Sequence, residues 1–319
     1  MPLALIAMSH SPLLTSHRPA EHIVEEVGWA FDGARRFAAG FAPDLVIVFS
    51  PDHYNGMFYR LMPPFCIGAA ARSIGDYDTP AGPLSVDREA ARALTERVLA
   101  DGVDIALSER MDVDHGFTQP LQILFGSIDS IPVVPVFINA IATPLCPLSR
   151  IRRLGEALGG AAEATGRRVL LVASGGLSHD PPMPRLDGAD EQVAERIVAG
   201  GDLPADQRAD RERKARLAAR EFAAGRPVMR PLNPQWDRAL LSVLTSGDLR
   251  RLDAWSNDRM TEQAGSSAHE VRTWIAAYAA LSAQGPYAVT ASYYRPIPEW
   301  IAGFAVTTAL PRHAATAVR

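Results

Sequence analysis

Four histidines follow short apolar segments of this sequence, and each lies in a turn that contains proline or glycine: His10, His53, His115 and His179. Each of them alone is as easily an ordinary loop histidine that hydrogen-bonds to the backbone, so the argument depends on the four together. Several imidazoles in one crevice suit a divalent metal ion, general acid–base catalysis, or both.

A carboxylate is the group that such a set lacks. Two histidines and one carboxylate on one face bind Fe(II) in non-haem oxygenases and leave positions open for substrate and dioxygen. Glu270 is the candidate, although Ser267-Ala268-His269-Glu270 equally fits a capping box, in which the glutamate bonds back to the serine amide. Sequence alone leaves both roles open. Asp258 and Glu262 are weaker candidates, and His269 would project from the helix in a different direction from Glu270.

Other polar residues near these turns have simpler explanations. Asp52, Asp114 and Asp180 each sit beside one of the histidines, where turn formation is the default and support of the imidazole is the alternative. Apart from His269, the remaining histidines, His17, His22 and His313, lie in polar or terminal sequence, which predicts surface positions.

The elements that must position these residues follow a β-α-β pattern. Apolar runs predict strands, and helical periodicity predicts helices. The predicted strands are 3–8, 45–49, 133–138 and 169–173, and the predicted helices are 20–39, 86–100, 147–164, 236–246 and 267–283, with a charged helical stretch over 186–225. This alternation predicts an α/β fold with a central, mostly parallel or mixed sheet flanked by helices. Because ligands of such sheets bind beyond the carboxyl ends of the strands, we expect one shared active site there.

We expect residues 1–319 to form one catalytic domain, with the last ~8 residues frayed. Residues 57–84 are rich in proline, glycine and aromatic side chains, which indicates a long ordered excursion near a site. The aromatic and proline-rich residues 292–300 are expected to pack over the body of the protein.

Composition argues against several functional classes. The formal net charge of -4 and the absence of a basic patch argue against nucleic-acid binding. The basic run from Arg208 to Arg220 is interspersed with acidic residues at helical spacing, which favours a solvated helix face. No stretch approaches the ~18 apolar residues of a membrane helix. The apolar start lacks a basic leader, and the two cysteines lie far apart, so we predict a first strand rather than a signal peptide and a cytoplasmic location.

Five ordered motifs carry a resemblance to a known family: Ser9-His10-Ser11-Pro12, Pro51-Asp52-His53-Tyr54-Asn55-Gly56, Val113-Asp114-His115-Gly116-Phe117, Ser174-Gly175-Gly176-Leu177-Ser178-His179 and Ala268-His269-Glu270-Val271. They resemble the motifs of the class III extradiol ring-cleavage dioxygenases, and the likeness covers nearly the whole chain. The resemblance implies that His10, His53 and Glu270 bind Fe(II), and that His115 and His179 form an acid–base pair.

The same resemblance implies O2-dependent extradiol (meta) cleavage of a catechol that carries a carboxylate tail, in bacterial catabolism of aromatic compounds, by a homo-oligomer. We favour His115 as the base that deprotonates the catechol and His179 as the acid that protonates the departing oxygen. Arg295 is a candidate for binding the carboxylate tail, and Tyr54, Phe117 or Trp300 for lining the ring pocket.

Three alternatives stay open at this point. One is an extradiol dioxygenase for a different catechol. Another is a zinc hydrolase, since two histidines and a glutamate also bind zinc with an open position. The third is a non-catalytic metal-binding protein, against which the two additional histidines argue.

Overall fold

A computed structural model describes residues 3–201 and 203–312, and within them strands and helices alternate along much of the chain. The strands are β1 Leu3–Met8, β2 Leu45–Ser50, β3 Phe65–Gly68, β4 Ala71–Ile74, β5 Ala81–Pro83, β6 Ala106–Ser108, β7 Met111–Val113, β8 Val133–Ile138, β9 Val169–Ser174, β10 Tyr287–Ile297 and β11 Ala302–Pro311. The helices are α1 Glu21–Phe41, α2 Arg88–Ala100, α3 His115–Phe125, α4 Leu148–Ala164, α5 Glu191–Ala199, α6 Ala205–Ala223, α7 Pro234–Ser246, α8 Asn257–Ala264 and α9 Val271–Ser282. Short 3-10 turns cover Tyr59–Leu61, Leu249–Ala254, Ser267–Glu270 and Pro298–Trp300.

The main sheet has eight strands in the order β10-β11-β1-β9-β2-β8-β3-β6. Its centre, β1-β9-β2-β8, is parallel throughout and consists of the four strands that the sequence predicts. β11 joins β1 and β3 joins β8 in antiparallel fashion, so the sheet is mixed. The prediction of an α/β fold with a mixed sheet flanked by helices is confirmed.

Helices cover both faces of this sheet. Because successive strand residues point to opposite faces, Leu3 and Leu5 of β1 pack in one core with α2, α4, α7 and α9, whereas Ala4 and Ile6 pack in the other with α1 and α3. Every residue of the four central strands is buried, as expected for strands covered on both sides. In the described part of the chain, no helix combines the length and apolar character needed to span a bilayer.

A second, smaller sheet has the order β5-β4-β7, and β4 and β5 lie within the stretch predicted to be an ordered excursion. β4 and β7 pair in parallel, with Ser73 opposite Val113. The residues that follow these two strands therefore emerge side by side, which brings the loop at Asp76 next to His115.

Two parts of the chain differ from the sequence prediction. Residues 292–300 do not simply pack over the body, because most of them belong to β10, which pairs with β11 at one edge of the main sheet. Pro296 is compatible with this strand because β10 is the outermost one, where a missing N–H is tolerated. The charged stretch 186–225 forms two helices, α5 and α6, separated at Gly200 and Gly201, which have positive φ. The frayed end lies almost wholly outside the described residues.

α4 and α9 approach each other so closely that two glycines of α4 are required. A Cβ added at Gly155 would lie 2.2 Å from the carbonyl oxygen of Ala276, and one at Gly159 would lie 2.1 Å from that of Ala280. Both obstacles are backbone atoms, which a packed interior does not let move aside. Since Glu270 is the N-cap residue of α9, this contact also fixes the helix that carries the candidate carboxylate.

We expect Gly159→Ala to destabilise the fold by about 1–3 kcal/mol, because the added methyl group overpacks against the backbone of α9. Gly160→Ala is the matched control, since it lies on the same helix and no atom is within 4 Å of its added Cβ. Alanine favours the helix over glycine by about 0.5–1 kcal/mol, so the control should be slightly stabilised. Urea unfolding followed by circular dichroism measures both, and equal stability of the two variants would contradict the close contact.

Candidate functional site

Four histidine rings meet at the carboxyl ends of three central strands. His10 follows β1, His53 follows β2, His179 follows β9, and His115 begins α3. The ring centroids of His10 and His53 are 5.4 Å apart, those of His10 and His115 are 5.2 Å apart, and those of His53 and His115 are 4.5 Å apart. All four side chains are buried. The structure therefore brings together the four histidines that the sequence singles out.

His10 is held at its Nδ1 atom by a serine. β1 and β9 pair with Met8 opposite Ser174, and the ring of His10 reaches back so that Nδ1 lies 2.9 Å from Ser174 Oγ. The Ser174 hydroxyl donates to the Gly116 carbonyl oxygen at 2.5 Å, so toward His10 it accepts. This network assigns the proton of neutral His10 to Nδ1 and leaves the lone pair on Nε2. Burial lowers the pKa of His10 to about 3, which keeps the ring neutral.

His53 is held at its Nδ1 atom by Asp114. The Oδ2 atom of Asp114 accepts from the backbone N–H and from Nδ1 of His53, each at 2.9 Å, while Oδ1 caps α3 by accepting from the Gly116 N–H at 3.0 Å. Burial acts to raise the pKa of Asp114, but the His53 charge outweighs it and the pKa lies well below its ordinary value. Burial acts to lower the pKa of His53, and Asp114 outweighs it, so this pKa lies well above its ordinary value. Asp114 thus forms a turn and orients an imidazole as well.

His115 is held in the same way by Asp76, a residue that the sequence analysis did not single out. Asp76 accepts from the His115 backbone N–H at 2.8 Å through Oδ1 and lies 2.6 Å from Nδ1 through Oδ2. This pairing follows from the parallel register of β4 and β7. The signal in the sequence was the ordered excursion 57–84, which contains Asp76, but the excursion did not indicate which histidine it would reach.

His179 is held by its own loop. Its Nδ1 atom donates to the Leu177 carbonyl oxygen at 2.8 Å, and because a carbonyl oxygen only accepts, this nitrogen carries the proton. A Cβ at Gly176 would lie 2.9 Å from Cε1 of the ring, so the turn needs glycine there. Burial acts to lower the pKa of His179, but the Glu270 carboxylate outweighs it and raises this pKa above its ordinary value.

Glu270 lies among these rings and does not form the capping box. Its Oε1 atom is 3.2 Å from Nε2 of both His53 and His179, and Oε2 is 3.5 Å from His10 Nε2. Oε2 also accepts from the Gly176 N–H at 2.8 Å, and neither the 3-10 turn nor α9 has a side-chain cap bond. Burial acts to raise the pKa of Glu270, but the surrounding histidines hold it well below its ordinary value. The neighbouring His269 points elsewhere and bonds to Thr261 Oγ1 at 2.8 Å.

These groups form a donor set suited to a metal. Every Nδ1 atom of the four rings has a hydrogen-bond partner, so the Nε2 atoms face the centre, and His115 Nε2 is buried with no partner among the described residues. Neutral imidazoles and a carboxylate are preferred ligands of divalent first-row metals. A proton and a metal compete for the same lone pair. Two overlapping triads fit, because ring nitrogens of His10, His53 and His115 lie within 4.8 Å of one another and Glu270 contacts the first two.

The donor set opens into a cavity of about 1630 Å³, which could admit a small aromatic molecule. Tyr77 and Trp300 line it together with the histidines, and residues of α5 and α6 form another part of its wall. Trp300 was one of the predicted ring-pocket aromatics, whereas Tyr77 was not singled out.

The other predicted substrate-binding residues lie outside the lining of this cavity. Tyr54 is buried in a small apolar cluster with Ile197, and Phe117 packs in the core on one face of the sheet. Arg295 lies on β10, where its Nη1 atom is 2.8 and 2.7 Å from the two carboxylate oxygens of Glu26.

Two surface predictions need correction. His17 is buried, because α6 covers it and its Nε2 atom bonds to the Arg216 carbonyl oxygen at 2.9 Å, whereas His22 is exposed and His313 lies outside the described residues. The basic run of α6 is only partly solvated. Arg208 donates to the Ile74 carbonyl oxygen at 2.9 Å, and Arg211 donates to that of His53 at 2.8 Å. Helical periodicity could not show that one side of α6 covers the site.

The chain matches a known family along almost its whole length. Residues 4–305 match the catalytic LigB subunit of aromatic ring-opening dioxygenase. The chain belongs to the LigB family. The resemblance found in the five motifs is thereby confirmed. This LigB chain is a ring-opening dioxygenase that depends on a metal cofactor.

Several relatives of this LigB chain carry the name 2,3-dihydroxyphenylpropionate/2,3-dihydroxicinnamic acid 1,2-dioxygenase. The one from Rhodococcus sp is 60% identical over 97% of this chain and 99% of its own length. Those from Rhodococcus jostii RHA1 and Mycolicibacterium gilvum PYR-GCK are 57% and 54% identical, each over 97% of this chain and over 99% and 98% of their own lengths. A solved structure of an uncharacterized Escherichia coli K12 protein aligns with 95% of this chain and 98% of its own at a TM-score of 0.46 and 15% identity.

We expect Ser174→Ala to weaken binding of a divalent metal about 10–100-fold, because the partner that holds the His10 ring and its tautomer is lost. Titration of metal-free protein with Co(II), followed by visible absorption, measures the affinity. Ser130→Ala, at an exposed serine, is the matched control and should bind as the unaltered protein does. Equal affinity in the two variants would show that the Ser174 bond does not prepare His10 for the metal.

Proposed function

We propose that this LigB dioxygenase opens the ring of 3-(2,3-dihydroxyphenyl)propionate by Fe(II)-dependent extradiol cleavage, in bacterial catabolism of phenylpropanoid compounds. The product is 2-hydroxy-6-oxonona-2,4-dienedioate, which contains both atoms of the consumed O2. The observation that carries the proposal is the set of four Nδ1-anchored histidines around Glu270 in one cavity. The names of relatives that match almost the whole chain support the choice of substrate.

His10, His53 and Glu270 are the proposed iron ligands. Their contacts support this choice, because the carboxylate lies 3.2 Å from His53 Nε2 and 3.5 Å from His10 Nε2. Two neutral nitrogens and one carboxylate on one face leave positions for a catechol and for O2. When bound, Fe(II) would supply Lewis acidity toward the catechol hydroxyls and the redox chemistry that activates O2.

His115 is the proposed base. Its Nε2 atom is buried and has no partner in the described part of the chain, so it can accept a proton from a catechol hydroxyl. The Asp76 carboxylate at 2.6 Å from Nδ1 would stabilise the imidazolium that results, as a carboxylate does behind other catalytic histidines. His115 could equally complete a three-histidine triad with His10 and His53. The contacts of Glu270 with His10 and His53 favour those two as the ligands, which leaves His115 for proton transfer.

His179 is the proposed acid. Its ring lines the same cavity from the loop after β9, on the other side of Glu270 from His10. The carbonyl oxygen that holds Nδ1 cannot accept that proton covalently, so proton transfer is confined to Nε2. In that role His179 protonates the oxygen that departs as the ring carbon migrates, and the proton taken by His115 balances the one given by His179.

The proposal includes a cytoplasmic homo-oligomer, as the family resemblance implies. Both cysteines, Cys66 and Cys146, are unpaired, which suits a reducing compartment. Trp29 on α1 is 67% exposed, and β10 is an edge strand of the main sheet. An exposed aromatic side chain and a strand edge are both features that subunit interfaces use. Light scattering that gave the mass of one 34.4 kDa chain would contradict the oligomer.

Reconstitution tests the proposed activity directly. Protein loaded anaerobically with Fe(II) and given 3-(2,3-dihydroxyphenyl)propionate should consume one O2 per substrate when air is admitted, with appearance of the yellow ring-fission product. Chelation should abolish uptake, and Zn(II) should not restore it because zinc has no redox chemistry. Absence of uptake with this and simpler catechols, in protein shown to hold iron, would contradict the proposal and favour a hydrolase or a binding protein.

We expect His115→Gln and His179→Gln each to lower kcat about 10²–10⁴-fold while iron content is kept, because glutamine cannot relay a proton. His22→Gln, at an exposed histidine, is the matched control and should keep full activity. Oxygen-uptake rates and iron analysis measure both properties. If His115→Gln loses iron instead, His115 is a ligand and the three-histidine triad is the metal site.

The same variants separate the base from the acid. Under anaerobic conditions the His179→Gln enzyme should still convert bound catechol to the catecholate, seen by its ultraviolet absorption, whereas His115→Gln should not. The opposite pattern would exchange the two roles.

A further inference from the structure

The part of the cavity wall that α5 and α6 form carries positive charge. Among the described residues that line the cavity, the cationic side chains are Arg196 on α5 and Arg211 and Lys214 on α6. Lys214 is 74% exposed and lies 2.8 Å from the Asp210 carboxylate, so its charge is already paired at the surface. The two arginines are different, since neither forms an ion pair with a carboxylate among the described residues.

Arg211 is fixed beside the proposed metal site. Its Nη2 atom donates to the His53 carbonyl oxygen at 2.8 Å, and Nη1 lies 3.4 Å from Asn55 Oδ1. Both acceptors are neutral, so these two bonds do not neutralise the guanidinium charge. This arginine therefore places a fixed positive charge next to the loop that carries His53.

Arg196 is a half-buried guanidinium with an unused donor. Its Nη1 atom is buried and donates to no acceptor among the described residues, which is uncommon because buried donors are nearly always satisfied. Burial lowers the pKa of Arg196, and the neighbouring Arg211 charge lowers it further. Two like charges that share one cavity wall, one of them unsatisfied, are stabilised when an anion binds between them.

The acidic side chains of the same wall do not neutralise Arg196 and Arg211. Those that line the cavity on α5 and α6 are mostly exposed at its rim: Asp190, Glu191, Glu195, Asp206 and Asp210. Asp190 caps α5 by accepting from the Val193 N–H, and Asp210 pairs with Lys214. These acidic side chains are thus bonded to other groups or solvated, and the charge of the two arginines is available to a ligand.

We propose that Arg196, assisted by Arg211, binds the carboxylate of the substrate's side chain and so makes the enzyme selective for catechols with an anionic tail. This inference rests on the proposed function for the identity of the ligand. A guanidinium suits the task because its planar donors can bind both oxygens of a carboxylate. The tail would lie between the histidine cluster and the α5–α6 wall, while Arg295, paired with Glu26 on β10, takes no part.

The test compares two substrates in the iron-loaded full chain. One is 3-(2,3-dihydroxyphenyl)propionate, and the other is 3-propylcatechol, which has a neutral tail of similar length. In Arg196→Met the ratio of kcat/KM for the anionic substrate over the neutral one should fall about 10–100-fold, mainly through KM, because a charged hydrogen bond is lost. Arg211→Met should lower the ratio less. Arg196→Lys should give a ratio between those of the unaltered enzyme and Arg196→Met, because lysine keeps the charge but lacks the planar pair of donors.

Arg295→Met is the matched control, because it removes an arginine that lies outside the cavity lining, and it should leave the ratio unchanged. An unchanged ratio in Arg196→Met would overturn the inference, as would an equal loss toward both substrates, which indicates a structural role. A lowered ratio in Arg295→Met with an unchanged one in Arg196→Met would move the subsite to β10.

A binding measurement keeps the inference separate from the proposed activity. Calorimetry with 3-(2-hydroxyphenyl)propionate and 2-propylphenol, which lack the catechol pair, reports the subsite without ring opening. If the unaltered protein opens no catechol yet prefers the anionic phenol in an Arg196-dependent way, the proposed function fails and the subsite stands. If it opens both catechols but Arg196→Met keeps the binding preference, the function stands and the subsite fails.

Discussion

The hydrogen bond at Nδ1 of each of the four clustered histidines is the interaction on which the candidate site depends. His10 is held by Ser174, His53 by Asp114, His115 by Asp76 and His179 by a carbonyl oxygen of its own loop. An imidazole bonded at one nitrogen has its ring plane, its tautomer and its free nitrogen fixed together. Four such bonds turn four mobile side chains into one convergent set of Nε2 atoms, and Glu270 then needs only to reach their centre.

Two of these bonds, those of His10 and His115, depend on strand register. Met8 lies opposite Ser174 in the main sheet, and Ser73 lies opposite Val113 in the small one, so a shift of one residue in either pairing would turn the partner to the other face. This explains what the sequence could and could not predict. Apolar runs predicted the four central strands, and the histidines that follow three of them indicated their shared edge. Register between distant strands leaves no local pattern, so Asp76 and Ser174 were not found as partners.

Helix faces set a second limit on prediction. The charges of α6 alternate at helical spacing, which predicts a helix correctly but says nothing about what covers it. In the structure this helix buries His17 and bonds through Arg211 to the His53 backbone, so a largely polar helix also forms part of the cavity wall. Likewise Glu270 has the spacing of a capping box. Its carboxylate bonds instead to the Gly176 N–H and to the histidines, which are distant in sequence, so local spacing could not predict its position.

The C-terminal hairpin has a larger part in the site than its position at the sheet edge indicates. Gly303 of β11 exchanges two backbone hydrogen bonds with the loop before His179, at 3.0 Å to the Leu177 N–H and 2.9 Å to the Ser178 carbonyl oxygen. Beneath them the buried Asp237 accepts from the Ser178 N–H at 2.7 Å and from the Tyr294 hydroxyl of β10 at 2.7 Å. A Cβ at Gly303 would lie 2.1 Å from Asp237 Oδ2, so only glycine lets these groups meet. β10 and β11 therefore complete the loop that carries the proposed acid, and the site forms only when β11 is paired with β1 in the sheet.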